Sequence, residues 1–293
     1  MKKLFFYGAI LAPISIFGAA SPALAQAPAS VAAPVLAKAT LWAQGFKEAQ
    51  GLALDLDGNI AVADAKAGEV VLLSKDGARL KTLANGLKTP TMLIPDGCSG
   101  FLVAERGANR VVALKSDGKI YPYLADVVEP IGLWSRDDYM VRVVSHTTSQ
   151  VFEWTGSNGV DDKGQIPGAW RLIYKPADEE AGADRYGFRC LVGAGDALFF
   201  TDETEGTVWM RAANGFVAPI AKGLGDPSGL LFGNDGALYV ADESEGGRLW
   251  KVGVGSAPQI VAQGLGRPRG LLFLDEKTLL VSSRDGKIWK VAL

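Results

Sequence analysis

The sequence predicts an all-β protein, a single six-bladed β-propeller with four-stranded blades. Three features lead to this prediction. A segment of about 40 residues occurs six times, each copy contains short apolar runs separated by turn residues, and the last copy lacks a strand that the N-terminal region can supply. Repeats of this length are typical of propellers, in which each copy forms one blade and buries its faces against its neighbours.

The repeat is clearest in the first and fifth copies, residues 51–64 and 229–242, which align without a gap. The same frame returns at residues 92–105, 132–145, 189–202 and 270–283. Successive copies begin 40 or 41 residues apart, except that the third copy is longer. The copies therefore predict six equivalent blades.

Each copy is predicted to contain four short strands. An apolar run leads into a turn such as Asp57-Gly58, and β-branched or aromatic residues follow in alternation. Alternating apolar residues bounded by Gly and Asp predict strands that are joined by tight turns. The third run of several copies carries a tryptophan, and we expect these side chains to pack between blades: Trp154, Trp209, Trp250 and Trp289.

The two ends of the repeat region predict how the ring closes. The sixth copy stops after its third strand, at residues 287–291, while residues 39–44 form a strand-like run that belongs to no copy. We expect this N-terminal strand to complete the sixth blade, because an open ring would leave sheet edges unpaired. The propeller domain is therefore predicted over residues 39–293.

The N-terminus has the features of a secretory signal peptide. Two lysines precede an apolar stretch that is interrupted by Pro13, and the small-residue motif that ends at Ala25 matches a cleavage site. We expect residues 1–25 to be removed and residues 26–38 to form a flexible lead. No later segment is apolar enough to predict a membrane span, so we expect a periplasmic or secreted protein.

The composition argues against nucleic acid as a partner. The chain has 30 basic and 32 acidic side chains, and loss of the signal peptide would remove two of the basic ones. Phosphate binding requires a basic excess on one face. The two cysteines, Cys98 and Cys190, fall in different blades, so we expect free thiols. We also expect a monomer.

Two rings of side chains are predicted at one end of the central channel, which we call the mouth. The first ring precedes a step that is Gly-Leu in most inner strands, and its residues all differ: Gln50, Thr91, Ile131, Phe188, Ser228 and Arg269. The second ring ends the second strand of each blade: Asp64, Glu105, Ser145, Asp202, Asp242 and Ser283. Antiparallel pairing returns both rings to one face, and a concave mouth is a usual place for a ligand.

The acids of the second ring have two interpretations. An acid that recurs in several blades is typical of a side chain that accepts hydrogen bonds from its own turn. The alternative is a site for a divalent cation such as calcium, with Glu105, Asp202 and Asp242 as its oxygen ligands. The first ring varies from blade to blade, which favours a role in specificity.

Spacing alone identifies no catalytic triad. His146 is the only histidine of the chain and follows the second ring. An unperturbed imidazole titrates near neutrality and suits proton transfer, so His146 is a catalytic candidate together with Glu105 and Asp242. The residues predicted to bind a ligand are Gln50, Thr91, Arg106, His146, Tyr186, Arg189, Ser228 and Arg269.

Among the copies, P-x-G-L occurs in three, V-A-D in two and D-x-D-G-N-I in one, at matching offsets. In this they resemble NHL repeats and the related propellers of the gluconolactonase and regucalcin (senescence marker protein) family, over residues 39–293. The resemblance implies a divalent cation at the mouth, held by an Asn in a P-N-G-L step and an Asp in a P-D-G step. Ser228 and Arg269 occupy those places here, and a guanidinium cannot ligate a cation.

The third copy contains two extra segments, residues 156–169 and 176–187. The second segment is predicted to return to the mouth face, and it carries Tyr186 among several charged residues. We expect it to form a lid or a docking lip, with a tolerated surface loop as the alternative.

These features favour a binding module, an exported propeller that holds a small ligand or a protein partner at the mouth. The alternative is a lactone or ester hydrolase of the gluconolactonase type with a rearranged divalent-metal site. Lyase or isomerase chemistry at His146 is a third hypothesis. Propellers with the same fold have unrelated functions. The fold therefore does not decide whether the protein is an enzyme, and the residues of the site must.

Overall fold

The computed structural model describes residues 36–137, 140–156, 168–175 and 187–293. The predicted signal peptide, most of the predicted lead and Tyr186 lie outside the described residues. Within these ranges the chain forms strands and one 3₁₀ turn, Arg106–Ala108, and no helix in them is long and apolar enough to cross a membrane.

The strands follow one another in four-stranded groups. The first half comprises β1 (Lys38–Gln44), β2 (Ala49–Leu54), β3 (Ile60–Asp64), β4 (Glu69–Leu73), β5 (Arg79–Ala84), β6 (Pro90–Pro95), β7 (Phe101–Glu105), β8 (Arg110–Leu114), β9 (Ile120–Leu124), β10 (Pro130–Asp137), β11 (Met140–Ser145) and β12 (Val151–Gly156). The second half comprises β13 (Gly168–Tyr174), β14 (Phe188–Ala194), β15 (Ala197–Asp202), β16 (Thr207–Arg211), β17 (Val217–Ala221), β18 (Pro227–Phe232), β19 (Leu238–Asp242), β20 (Arg248–Val252), β21 (Gln259–Ala262), β22 (Pro268–Asp275), β23 (Thr278–Ser283) and β24 (Lys287–Ala292).

The strands form six antiparallel sheets, one for each blade of a propeller. Blades 1 to 5 each use four consecutive strands, from β2–β5 to β18–β21. Blade 6 consists of β22, β23, β24 and β1, with Thr40 opposite Lys290 and Leu41 opposite Trp289. The predicted fold and its closing strand are therefore confirmed, with the strand beginning one residue earlier, at Lys38.

The inner strands contact one another in a closed circle, in the order β2, β6, β10, β14, β18, β22 and back to β2. Glycine makes this approach possible. A Cβ atom at Gly51 would lie 2.8 Å from the Cα atom of Met92, and one at Gly132 would lie 2.8 Å from the carbonyl oxygen of Arg189. Larger residues at these glycines would push neighbouring blades apart.

The hydrophobic core is divided into six clusters, and each lies between two neighbouring blades. Strand alternation explains this division, because successive side chains point to opposite faces of a sheet. In β3, Ile60 and Val62 pack towards blade 6, while Ala61 and Ala63 pack towards blade 2. The four predicted tryptophans all pack in these clusters, and both cysteines are free.

Removal of the closing strand tests the ring. A chain that starts at residue 45 loses the β1–β24 pairing and the packing of Trp42 and Ala43 between blades 6 and 1. Burial of one large apolar side chain contributes about 1.5–3 kcal/mol, so we expect a loss of at least about 3 kcal/mol in the free energy of unfolding. Urea denaturation followed by circular dichroism measures it. A chain that starts at residue 36 is the control, and equal midpoints for the two chains would contradict closure by β1.

Candidate functional site

The inner strands enclose a cavity of about 280 Å³ in the central channel. Every blade contributes to its wall, which is mostly apolar. The polar side chains of the wall at the mouth are Gln50, Thr91, Arg189, Ser228 and Arg269. Pockets for drug-sized ligands begin at about 300 Å³, so this cavity of about 280 Å³ suits a molecule at or below the lower end of that range.

The two ends of the cavity differ in polarity and exposure. At the mouth end, Gln50, Thr91, Ser228 and Arg269 are all buried. At the opposite end lie the hairpin turns between the first and second strands, and we call it the turn end. The wall there is apolar, and its residues are half-buried or exposed: Leu54, Ile94, Pro95, Trp134, Leu231 and Leu272. Among the described residues, the cavity is therefore closed at the mouth end and reaches the surface at the turn end.

A buried carboxylate closes the mouth end. The side chain of Glu243 is fully buried and forms ion pairs with four arginines. Arg189 of blade 4 donates from Nη1 to Oε1 over 2.8 Å, and Arg269 of blade 6 contacts the same oxygen through Nε. Arg267 and Arg284, also of blade 6, lie 3.3 and 3.4 Å from Oε2. Glu243 thus joins blades 4, 5 and 6.

These ion pairs extend from Glu243 towards blade 1. Arg284 contacts Glu243 through Nη1, and its Nε donates to Oε1 of Glu48 over 2.8 Å. The same Glu48 oxygen accepts a hydrogen bond from the amide nitrogen of Gln50, also over 2.8 Å. The predicted ligand-binding residue Gln50 is therefore held in place by a charged neighbour.

The ion pairs also extend in the other direction, towards blade 2. Arg189 contacts Glu203, and Oε1 of Glu203 lies 2.9 Å from Nε2 of His146. On its other side, His146 places Nδ1 3.6 Å from Glu129, which pairs with Arg106 at 3.1 Å. We call this connected set the mouth belt: Glu48, Arg106, Glu129, His146, Arg189, Glu203, Glu243 and Arg284.

His146 is neutral within the mouth belt. Burial, reinforced by the cations Arg106 and Arg189, lowers the pKa of His146 to about 4 despite the carboxylate of Glu129. A carboxylate only accepts hydrogen bonds, so the neutral ring donates from Nε2 to Glu203. His146 and Arg106 belong to the belt and are not part of the cavity wall.

The charge that faces the cavity is positive. Arg189 and Arg269 line the wall, while their partners Glu203 and Glu243 lie behind it. The ion pair of Arg269 with Glu243 is made through Nε, and within the described ranges the terminal nitrogens of Arg269 donate no hydrogen bond, although the side chain is only 9% exposed. Burial lowers the pKa of Arg269 to about 9, with Glu243 opposing the shift, so the group is charged at neutral pH.

The three acids named as possible metal ligands accept hydrogen bonds within their own blades. Each accepts a backbone N–H bond from the loop that enters its blade: Glu105 from Lys88 over 2.7 Å, Asp202 from Gly187 over 3.1 Å and Asp242 from Asp226 over 2.9 Å. This is the arrangement predicted for side chains that fasten their own loops. Within the described ranges, no group of three or more His, Cys, Asp or Glu side chains is placed to hold a metal ion.

Two other residues predicted to bind a ligand join neighbouring blades. Thr91 donates from its hydroxyl to the carbonyl oxygen of Pro130 over 3.3 Å, and Ser228 donates to that of Pro268 over 2.8 Å. A hydroxyl has one proton to donate. Thr91 and Ser228 can therefore only accept hydrogen bonds from a ligand in the cavity. The side chains of the wall that can donate hydrogen bonds to a ligand are those of the arginines and Gln50.

Sequence reasoning did not identify the apolar part of the wall, which includes Met92, Trp134 and the buried thiol of Cys190. One signal was available. The repeat position that holds glycine in four blades holds Met92 in blade 2 and Arg189 in blade 4, and both side chains line the cavity.

Comparison with known proteins supports the fold. No protein-family model matches the chain, and no curated protein matches it in sequence. In structure it is similar to a catalytically inactive variant of virginiamycin B lyase from Staphylococcus aureus with quinupristin (16% identity, TM-score 0.61, 87% of this chain and 99% of the other). It is also similar to a gluconolactonase from Xanthomonas campestris (12%, 0.61, 88% and 90%) and to a protein of unknown function from Bacteroides thetaiotaomicron (13%, 0.67, 87% and 75%). Identities this low show a shared propeller fold.

Titration of His146 tests the mouth belt. Because it is the only histidine, its ring resonances in NMR spectra of tag-free protein need no assignment. We expect a midpoint near 4, and a higher midpoint in Arg106→Gln, which removes a cation. The folded-state pKa lies below the unfolded value of about 6.5, so the unfolded chain takes up the proton first and stability falls as pH drops from 6.5 towards 4. A midpoint at or above 6.5 would contradict a neutral, buried His146.

Substitution of Glu243 tests the closure of the mouth end. Glu243→Gln leaves the buried guanidinium groups of Arg189 and Arg269 without their shared carboxylate. Removal of one partner from a buried ion pair costs about 3–5 kcal/mol. The control is Glu69→Gln, whose ion pair with Arg79 is exposed and is worth about 1 kcal/mol at most. Urea denaturation compares the two variants, and equal losses would show that Glu243 does not hold the blades together.

Proposed function

We propose that this chain is an exported propeller that binds a small ligand in its central channel. One observation carries the proposal: the inner strands enclose a cavity with a mostly apolar wall, and at its mouth end Arg269 lines it with terminal nitrogens that donate no hydrogen bond to any described residue. Pockets of this kind, apolar with a few polar groups that converge, are the usual form of a ligand site. The features of a signal peptide in residues 1–25 support a periplasmic or secreted location.

A small molecule fits the site better than a protein partner at the mouth. The charged side chains of the mouth belt are paired with one another across all six blades, so a protein docking there would compete with existing ion pairs. In the cavity, in contrast, no described side chain accepts a hydrogen bond from the terminal nitrogens of Arg269. Its opening at the turn end is also separate from the belt.

The hydrolase alternative draws on the fold that this chain shares with a gluconolactonase. Its residues are less suited to the task. Glu105, Asp202 and Asp242 accept hydrogen bonds from their own loops, and neither they nor His146 line the cavity. The geometry therefore favours binding over hydrolysis.

Thermal-shift assays with a matched pair of variants test the proposal. The mature protein is screened against organic acids, amines, sugars and lactones, together with Met92→Trp, which fills the cavity, and Met92→Leu, which keeps its volume. We expect one chemical class to raise the melting temperature of the wild type and of Met92→Leu by several degrees, and to leave Met92→Trp unchanged. The absence of any stabilising compound would contradict the proposal. So would turnover of lactones or esters that Asp242→Ala abolishes.

A further inference from the structure

We infer that the channel ligand is a small organic acid with a single apolar tail, bound with its anionic group at Arg269 and its tail towards the turn end. The inference rests on the proposed function, since it takes the channel as the binding site. It adds the chemical class of the ligand, its orientation and the face from which it enters.

The positive side chains of the cavity wall indicate that the ligand is negatively charged. Among the described residues, the charged side chains that line the cavity are Arg189 and Arg269, and both are positive. Arg189 pairs with Glu243, Glu203 and Asp226, whereas the terminal nitrogens of Arg269 donate no hydrogen bond to a described residue. A guanidinium fork matches a carboxylate in a bidentate pair. An anion at this place would accept hydrogen bonds from these nitrogens, whereas a cation would be repelled by both arginines.

The apolar lining of the rest of the wall indicates that the ligand has an apolar tail. Beyond the arginines, the channel is lined by aliphatic and aromatic side chains, among them Leu52, Leu93 and Leu230. Each methylene group transferred from water to such a wall contributes about 0.8 kcal/mol. A volume of about 280 Å³ corresponds to about nine water molecules. One short chain or one ring fits this space, whereas a two-chain lipid does not.

The difference between the two ends of the cavity indicates the direction from which the ligand enters. The mouth end is closed by the ion pairs of Glu243, which join three blades. The turn end is formed by half-buried or exposed apolar residues, including Ile94 and Trp134. A ligand that enters there reaches Arg269 with its acid group first and leaves its tail against the apolar wall.

At the turn end, the ring of Trp134 packs against Arg142 and Gly193. The guanidinium of Arg142 lies 5.2 Å from the centre of the Trp134 ring, and Arg142 is itself held by the buried carboxylate of Glu153 over 3.0 Å. Gly193 leaves room for the ring, because a Cβ atom there would lie 2.5 Å from it. An aromatic ring that is packed against its neighbours in this way is suited to contact an apolar tail.

The first test compares three ligands with eight-carbon chains on the wild-type protein, by isothermal titration calorimetry at pH 7. Octanoate, 1-octanol and octylamine differ in the group at the first carbon, which is an anion, a neutral alcohol and a cation, respectively. We expect octanoate to bind at least ten-fold more tightly than 1-octanol and octylamine to bind most weakly. Binding of 1-octanol or octylamine as tight as that of octanoate would overturn the inference. If another compound binds in the channel and octanoate does not, the inference fails while the proposed function holds, and if nothing binds there, both fail.

The second test uses paired variants with octanoate as the probe. Arg269→Gln removes the fork and should weaken binding at least ten-fold. Its control is Arg79→Gln, which removes an exposed guanidinium that pairs with Glu69 outside the cavity wall and should stay within two-fold. At the turn end, Ile94→Asp should weaken binding at least ten-fold, whereas Leu56→Asp, in an exposed turn outside the wall, should stay within two-fold. Equal effects within either pair would place the ligand elsewhere.

Discussion

The contact of the Glu243 carboxylate with its arginines is the interaction on which the rest of the site depends. A carboxylate removed from water is costly unless cations and hydrogen bonds replace its hydration. Glu243 receives four arginines from the blades on either side of its own, and guanidinium groups are well matched to this geometry. The same contacts hold three blades together and close one end of the channel, so stability and the shape of the cavity have a common origin.

The placement of the acids decides the chemistry that the channel presents. Glu203 and Glu243 lie behind the wall, and Arg189 and Arg269 reach into it. The acids of the second ring are bound by backbone N–H groups of their own loops and do not reach the channel. A scaffold that its structural relatives share therefore encloses a cationic and apolar cavity here. Fold and function separate in this way because chemistry resides in particular side chains.

The fold could be predicted from the sequence because it depends on what the copies share. Asp57-Gly58 and its counterparts define the turns, and the unpaired strand at residues 39–44 identifies the closure. The channel cavity depends on what the copies do not share. Arg269 was predicted to bind a ligand, but its partner Glu243 stands where the other blades carry Ala, Arg, His or Glu. Ion pairs between such unlike residues of different blades do not recur with the repeat. For this reason neither the closed mouth end nor the opening beside Trp134 could be inferred from the spacing of residues in the sequence.

A crystal structure of the mature protein with octanoate would locate the ligand. We expect one molecule in the channel, with its carboxylate within hydrogen-bond distance of the terminal nitrogens of Arg269 and its tail against Trp134, and with the ion pairs of Glu243 unchanged. Octanoate bound at the mouth face, or Arg269 turned away from an empty channel in the presence of saturating octanoate, would contradict this expectation.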